Sequence, residues 1–172
     1  IYQAPIWASQ ETLASITPCD TDRVLSEGNS FVLEGPSGGV RWDVIESPGH
    51  CPGQVCLVSD AGVVSGDNCS HVGTILVPSG EGDMGAYISG LERIRALKPK
   101  VLFPGHGPLV ANPERLLTHY IEHRKARHQE VLEAVRAGNS DIPSIASAAY
   151  SDSPGAHPLL AQDQALSHLK EL

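Results

Sequence analysis

Ser47-Pro48-Gly49-His50-Cys51-Pro52-Gly53-Gln54 decides how this chain is read, together with two shorter strings downstream, Ser65-Gly66-Asp67 and Pro104-Gly105-His106-Gly107. Each string brings a metal-capable side chain onto a tight turn, and each turn follows an apolar, strand-like run. The glycines beside the ligands (Gly49, Gly66, Gly105 and Gly107) permit backbone angles that turn a side chain inward. Pro-Gly turns are common and a lone turn histidine means little. Three such turns in this order, at separations of 17 and 39 residues, point to one metal centre. Zinc takes imidazole nitrogen and carboxylate oxygen readily, and two histidines plus one aspartate meet the minimum of three protein ligands for a catalytic site.

Around this motif the chain reads as an α/β (α+β) protein. Pro5 to Ala8 is predicted as a short strand, followed by a helix near Gln10 to Ile16 that ends at Pro18. An acidic, turn-rich stretch follows (Asp20, Asp22, Glu27, Gly28, Asn29). Phe31-Val32-Leu33 and Val40 to Ile45 read as strands joined through Gly35 to Gly39, and Gln54 to Val58 pairs with Gly62 to Ser65 around Asp60-Ala61. Met84, Tyr87, Ile88, Leu91, Ile94 and Leu97 recur at three and four residues, which predicts a helix over Asp83 to Leu97. Val101-Leu102-Phe103 is a short buried strand leading into His106. A long helix starts at Asn112-Pro113, with Asn at the cap and Pro in the first turn, and runs to Gly138-Asn139. Helices over Ile142 to Tyr150 and Pro158 to Leu172 complete the chain, dividing it into residues 1–138 and a small helical appendage at 139–172.

The 172 residues suffice for a self-sufficient core. A net charge of −8 and a pI near 5.4 argue against generic binding to nucleic acid or anionic membrane, though not against a nucleic-acid substrate held through metal. No apolar run is long enough for a membrane span. Cys19, Cys51, Cys56 and Cys69 form no CxxC pair and are expected as reduced thiols of a cytoplasmic protein. Cys51 and Cys69 stand close enough to the ligand turns to approach a metal. The opening Ile1-Tyr2-Gln3-Ala4-Pro5 has no initiator Met, so the natural start is expected upstream.

The three strings resemble those of the metallo-β-lactamase-fold hydrolases. Gly73-Thr74-Ile75, Gly82 to Tyr87, Leu91 and the tail ending His168-Leu169-Lys170-Glu171-Leu172 look most like the LACTB2-like branch, with its C-terminal winged-helix-like segment. The resemblance implies the C-terminal half of an αββα sandwich with a helical appendage. It also implies one or two zinc ions, or another divalent metal: the residue matching Asp67 bridges two metals, and those matching His50 and His106 complete one each. The family's leading HxHxDH string belongs upstream of Pro5 to Ala8 and has no counterpart here. Each metal would therefore keep two ligands from this chain, and the carboxylate beside the attacking water would be absent. The position of Gln54 holds a histidine in the family, but is not a ligand there. An isolated second half would also expose apolar sheet surface and unpaired edges.

Other histidines have simpler readings. His119 and His123 lie four apart on one helical face but lack the glutamate of HExxH; with Arg124, Lys125, Arg127 and His128 they read as a solvated polar face. His157 and His168 read as surface residues, and Tyr87 as core, with packing near the site as its alternative. His71, four residues past Asp67, is a candidate for facing substrate, with a surface loop as the plainer alternative. The expectation is thus a metal-dependent hydrolase of a thioester, ester, lactone or phosphodiester, with a small thioester or ester favoured over RNA. The chain is expected to be a fragment, inactive until its N-terminal segment or another subunit, in a possible homo-oligomer, completes the site. The alternative is a non-catalytic binding protein that has lost the metal.

Overall fold

The computed structural model describes residues 4–16 and 20–172. Pro18, where the first helix was expected to end, and Cys19, one of the four expected thiols, lie outside the described residues. In chain order the elements are β1 (Trp7–Ser9), α1 (Gln10–Ser15), β2 (Arg23–Leu25), β3 (Ser30–Gly35), β4 (Gly38–Glu46), β5 (Val55–Ser59), β6 (Gly62–Gly66), α2 (Met84–Ala96), β7 (Leu102–Pro104), α3 (Pro113–Arg136), α4 (Ile142–Ala149) and α5 (Pro158–Leu169).

Five strands form one sheet in the order β3-β4-β5-β6-β7. Tight turns at Pro36-Ser37 and Asp60-Ala61 make β3–β4 and β5–β6 antiparallel neighbours. β6 and β7 are parallel, which requires a crossover, and α2 supplies it. Asp83 caps α2 by accepting from the Ala86 N–H at 2.6 Å, and Asn112 caps α3 by accepting from Arg115 N–H at 3.2 Å. The helical period buries Met84, Tyr87, Leu91 and Ile94 of α2 against Ile45, Cys56, Val63 and Leu102 of the sheet and Leu117 and Ile121 of α3. Each aliphatic side chain so buried contributes roughly 1.5–3 kcal/mol.

Cross-strand partners point to the same side of a sheet. The register therefore lays Val44, Leu57, Val64 and Phe103 in one row across the face opposite the helices. At the sheet's far edge Val32, Leu33 and Val40 stand 53%, 52% and 42% exposed, so apolar surface is open to solvent there. These layers are one sheet and one helix layer of an αββα sandwich.

Three sequence-level expectations fail. β2 was read as part of a turn-rich stretch, yet Arg23–Leu25 pairs in parallel with β1, and the Trp7 and Phe31 rings meet edge-on at 4.7 Å. Arg124 and Arg127 are buried, not solvated, because α4 and α5 fold back over that face of α3. His168 is fully buried for the same reason. Val131 and Ala134 of α3 join Ile145, Ala146, Ala149, Ala161 and Ala165 in a second apolar cluster, so α3 serves both clusters. No helix among the described residues is long and apolar enough to cross a membrane.

Candidate metal centre

His50, Asp67 and His106 stand on the turns that follow β4, β6 and β7, and the sheet order brings the three turns to one end. The His50 turn is pinned twice. Ser47 N–H donates to the Gln54 carbonyl at 2.9 Å, and the Gly49 carbonyl accepts from Asp83 N–H at 2.9 Å, tying the turn to the start of α2. Gly49 has φ +137, and a Cβ on it would collide with the backbone of Tyr87. A Cβ on Gly105 would collide with Asp67 Oδ1. Glycine at these positions is a steric requirement of the site.

His50 Nδ1 lies 2.7 Å from the Leu76 carbonyl oxygen. A carbonyl only accepts, so Nδ1 is the nitrogen that carries a proton, and Nε2 is the one left to face Asp67 and offer a lone pair to a metal. That Nε2 lies 3.8 Å from Asp67 Oδ2, while His106 Nε2 lies 3.4 Å from Asp67 Oδ1. Asp67 Oδ1 is buried with no hydrogen-bond partner among the described residues. Ligands bound at 2.0–2.1 Å around a tetrahedral metal stand about 3.3 Å apart. The separations and the orphaned oxygen therefore suit a cation between carboxylate and imidazole. They suit it as two half-shells, because each carboxylate oxygen faces a different histidine. Among the described residues no group of three or more His, Cys, Asp or Glu could hold one metal ion. The donor types fit, the donor number does not, and the set needs further ligands. The His106 side chain is 74% exposed, so the site is open on that side.

His71 is exposed and sits beside the His106 turn: its Cβ would be 3.3 Å from a Cβ on Gly107. Cys51 is half-buried, and burial pushes its thiol up from the usual range, with Asp67 and Glu81 adding to the shift. Cys69 is fully buried beside the Ser65 hydroxyl, and burial raises it too. Neither is a ready thiolate ligand. His119 and His123 stack at 6.2 Å, away from this centre on α3, and burial lowers His123.

The supporting residues were not legible as such. Asn68 accepts from Ser47 Oγ at 2.9 Å and donates through Nδ2 to the Ser65 carbonyl at 2.9 Å, clamping two ligand turns together. Tyr87 meets both of its expected readings: it is core, and its hydroxyl reaches the site by donating to the Asn68 carbonyl at 2.6 Å. The Tyr120 hydroxyl accepts from Ser70 N–H at 3.1 Å and donates to the Gly73 carbonyl at 3.0 Å, holding the loop after Asp67. Of these, Asn68 and Tyr120 went unmarked, and only the sequence position of Asn68 beside Asp67 and the place of Tyr120 on an apolar stripe could have flagged them.

No family model matches the chain. Over 134 residues it is 31% identical to a β-lactamase-like protein 2 homolog of Drosophila melanogaster, covering 76% of this chain and 43% of that protein. It is 26% identical over 121 residues to an atrochrysone carboxyl ACP thioesterase of Aspergillus fumigatus, covering 69% of this chain and 36% of the relative. Among solved structures, a metallo-β-lactamase family protein from Thermus thermophilus superposes with a TM-score of 0.72 at 19% identity, over 91% of this chain and 50% of its own. A di-iron-bound protein of the same fold reaches 0.52 at 24% identity, over 64% of this chain and 61% of its own. The chain thus spans less than half the length of the curated relatives it matches, consistent with the C-terminal portion of the fold.

Proposed function

We propose that this chain, a metallo-β-lactamase-fold protein of the β-lactamase-like protein 2 kind, is the C-terminal part of a metal-dependent hydrolase that cleaves a small thioester or ester. The carrying observation is Asp67, whose two oxygens each face the Nε2 of a different histidine, with Oδ1 buried and without a hydrogen-bond partner among the described residues. His50, Asp67 and His106 would hold one or two zinc ions, with Asp67 shared. A metal held there would supply a water of lowered pKa and polarise the scissile carbonyl. The chain's own part is orientation. The Leu76 carbonyl fixes the His50 tautomer, Gly105 admits Asp67 close to the His106 turn, and Asn68 holds the turns in register. His71 borders the open side, where a substrate would arrive. The remaining ligands, and the carboxylate that would take a proton from the attacking water, come from a further segment or another copy of the chain. The thioesterase among the relatives and the acidic balance support a thioester over RNA.

The test is metal content after zinc reconstitution of the full chain, beside His50→Ala, Asp67→Ala and His106→Ala. Zinc that is retained by the wild type and lost most completely in Asp67→Ala supports the reading, as does hydrolysis of an acyl thioester in preference to single-stranded RNA once the missing ligands are supplied. A wild type that takes up no zinc in either setting leaves a non-catalytic binding protein.

A further inference from the structure

A cavity of about 340 Å³ lies between α3, the segment 74–76 and the loop that leads into α5. That volume is within the range of small-molecule sites. Arg124, Arg127, His123 and His157 line it, and no aspartate or glutamate does, in a chain whose net charge is −8. Leu76, Leu160 and Ala161 supply apolar wall.

Arg124 is the anomaly. It is 3% exposed, and its guanidinium donates to the Gln164 Oε1 at 3.2 Å and to the Ile75 carbonyl while lying 5.5 Å over the Tyr87 ring. Every one of these partners is neutral, and its Nε has no partner among the described residues. Arg127 is equally buried, but Asp152 and Glu130 pair with it at 2.9 and 2.7 Å. A buried guanidinium stays charged, and buried charges are ordinarily paired, because leaving one without a counter-charge costs several kcal/mol. Arg124 borders a cavity with room for the missing counter-charge.

We propose that this cavity binds an oxyanion, the carboxylate or phosphate of a small ligand with an apolar body, with Arg124 as its principal partner. The planar guanidinium suits either group. The exposed Leu160 stands at the mouth, where an apolar body would rest. The site is separate from the metal centre but adjoins it through one residue, since Leu76 lines the cavity and its carbonyl holds His50. The proposal goes beyond the hydrolase reading and does not depend on it.

The experiment is a backbone amide NMR titration of the full chain in metal-free, chelator-containing buffer at constant ionic strength. Sodium hexanoate is one probe and inorganic phosphate the other. Saturable shifts confined to residues 74–76, 123–127 and 157–164 with either probe are expected, and the probe that saturates at lower concentration assigns carboxylate or phosphate. Arg124→Gln should weaken binding tenfold or more. Leu160→Trp, which narrows the mouth at an exposed position and leaves both arginines in place, should do the same and decides the matter if Arg124→Gln does not fold. Absence of saturable shifts with both probes overturns the proposal, as does undiminished affinity in Leu160→Trp.

Discussion

Lowering the pH from 7 to 4.5 should cost this fold about 2.5 kcal/mol through the single side chain of His168. The ring is fully buried, neither nitrogen has a hydrogen-bond partner among the described residues, and the His128 ring lies 5.6 Å away. Burial first, and then the charges of Arg124, His128, Arg127 and His123, hold its pKa down at about 3. In the unfolded chain a histidine titrates near ~6.5. Because the folded value is the lower one, the unfolded state takes up the proton first as the pH falls. The stabilisation is complete above ~6.5 and disappears as the pH drops towards the folded value, with a slope of about 1.4 kcal/mol per pH unit in between. Urea unfolding at pH 7, 6, 5.5, 5 and 4.5 measures that slope in the wild type and in His168→Leu, which keeps an apolar side chain of similar size at the site. Glu27, whose hydrogen bond with Arg93 holds its carboxyl below the usual range, and His123, which burial lowers, are present in both proteins, so their contributions largely cancel in the difference. The variant's curve should be flatter by roughly the stated slope. Parallel curves across the whole window would refute the argument, for they would mean that His168 binds its proton equally well in both states.

Gly49→Ala should lose roughly 2–4 kcal/mol of stability in urea unfolding and weaken zinc uptake, because the new Cβ and the positive φ both displace the turn that carries His50. Tyr87→Phe should cost about 1–3 kcal/mol in the same assay by leaving the Asn68 carbonyl without its donor. Among Cys51, Cys56 and Cys69, iodoacetamide followed by mass spectrometry should modify Cys51 first, since the other two are fully buried. Cys51 labelling should be slow at pH 7 and accelerate with rising pH, as a thiol raised by burial demands, whereas Cys56, pushed up to about 12, should stay unlabelled until the protein unfolds.

Local chemistry made most elements legible. The hairpin of β3 and β4 follows from two apolar runs around Gly35 to Gly39, and the start of α3 follows from an Asn cap with Pro in the first turn. β2 was hidden because its three residues sit among turn formers and gain their partner only from β1, sixteen positions back. The positions of His50, Asp67 and His106 at strand ends were readable, as was the shortage of ligands. What joins them was not, because Asn68, Leu76 and Gly105 act through contacts across distant turns. Arg124, Arg127 and His168 were misread for one reason: a single helix shows which residues share a face, but not that α4 and α5 return to cover it.

His50 is oriented by a backbone carbonyl, and this separates the fate of the site from the identity of residue 76. Any side chain that leaves the backbone path intact still offers the same acceptor, so no ordinary substitution at Leu76 deletes the contact. Position 76 is thereby free to vary, and its partly exposed side chain faces the neighbouring cavity. Ligand preference in that cavity can drift by mutation while the imidazole beside it keeps its tautomer and its aim.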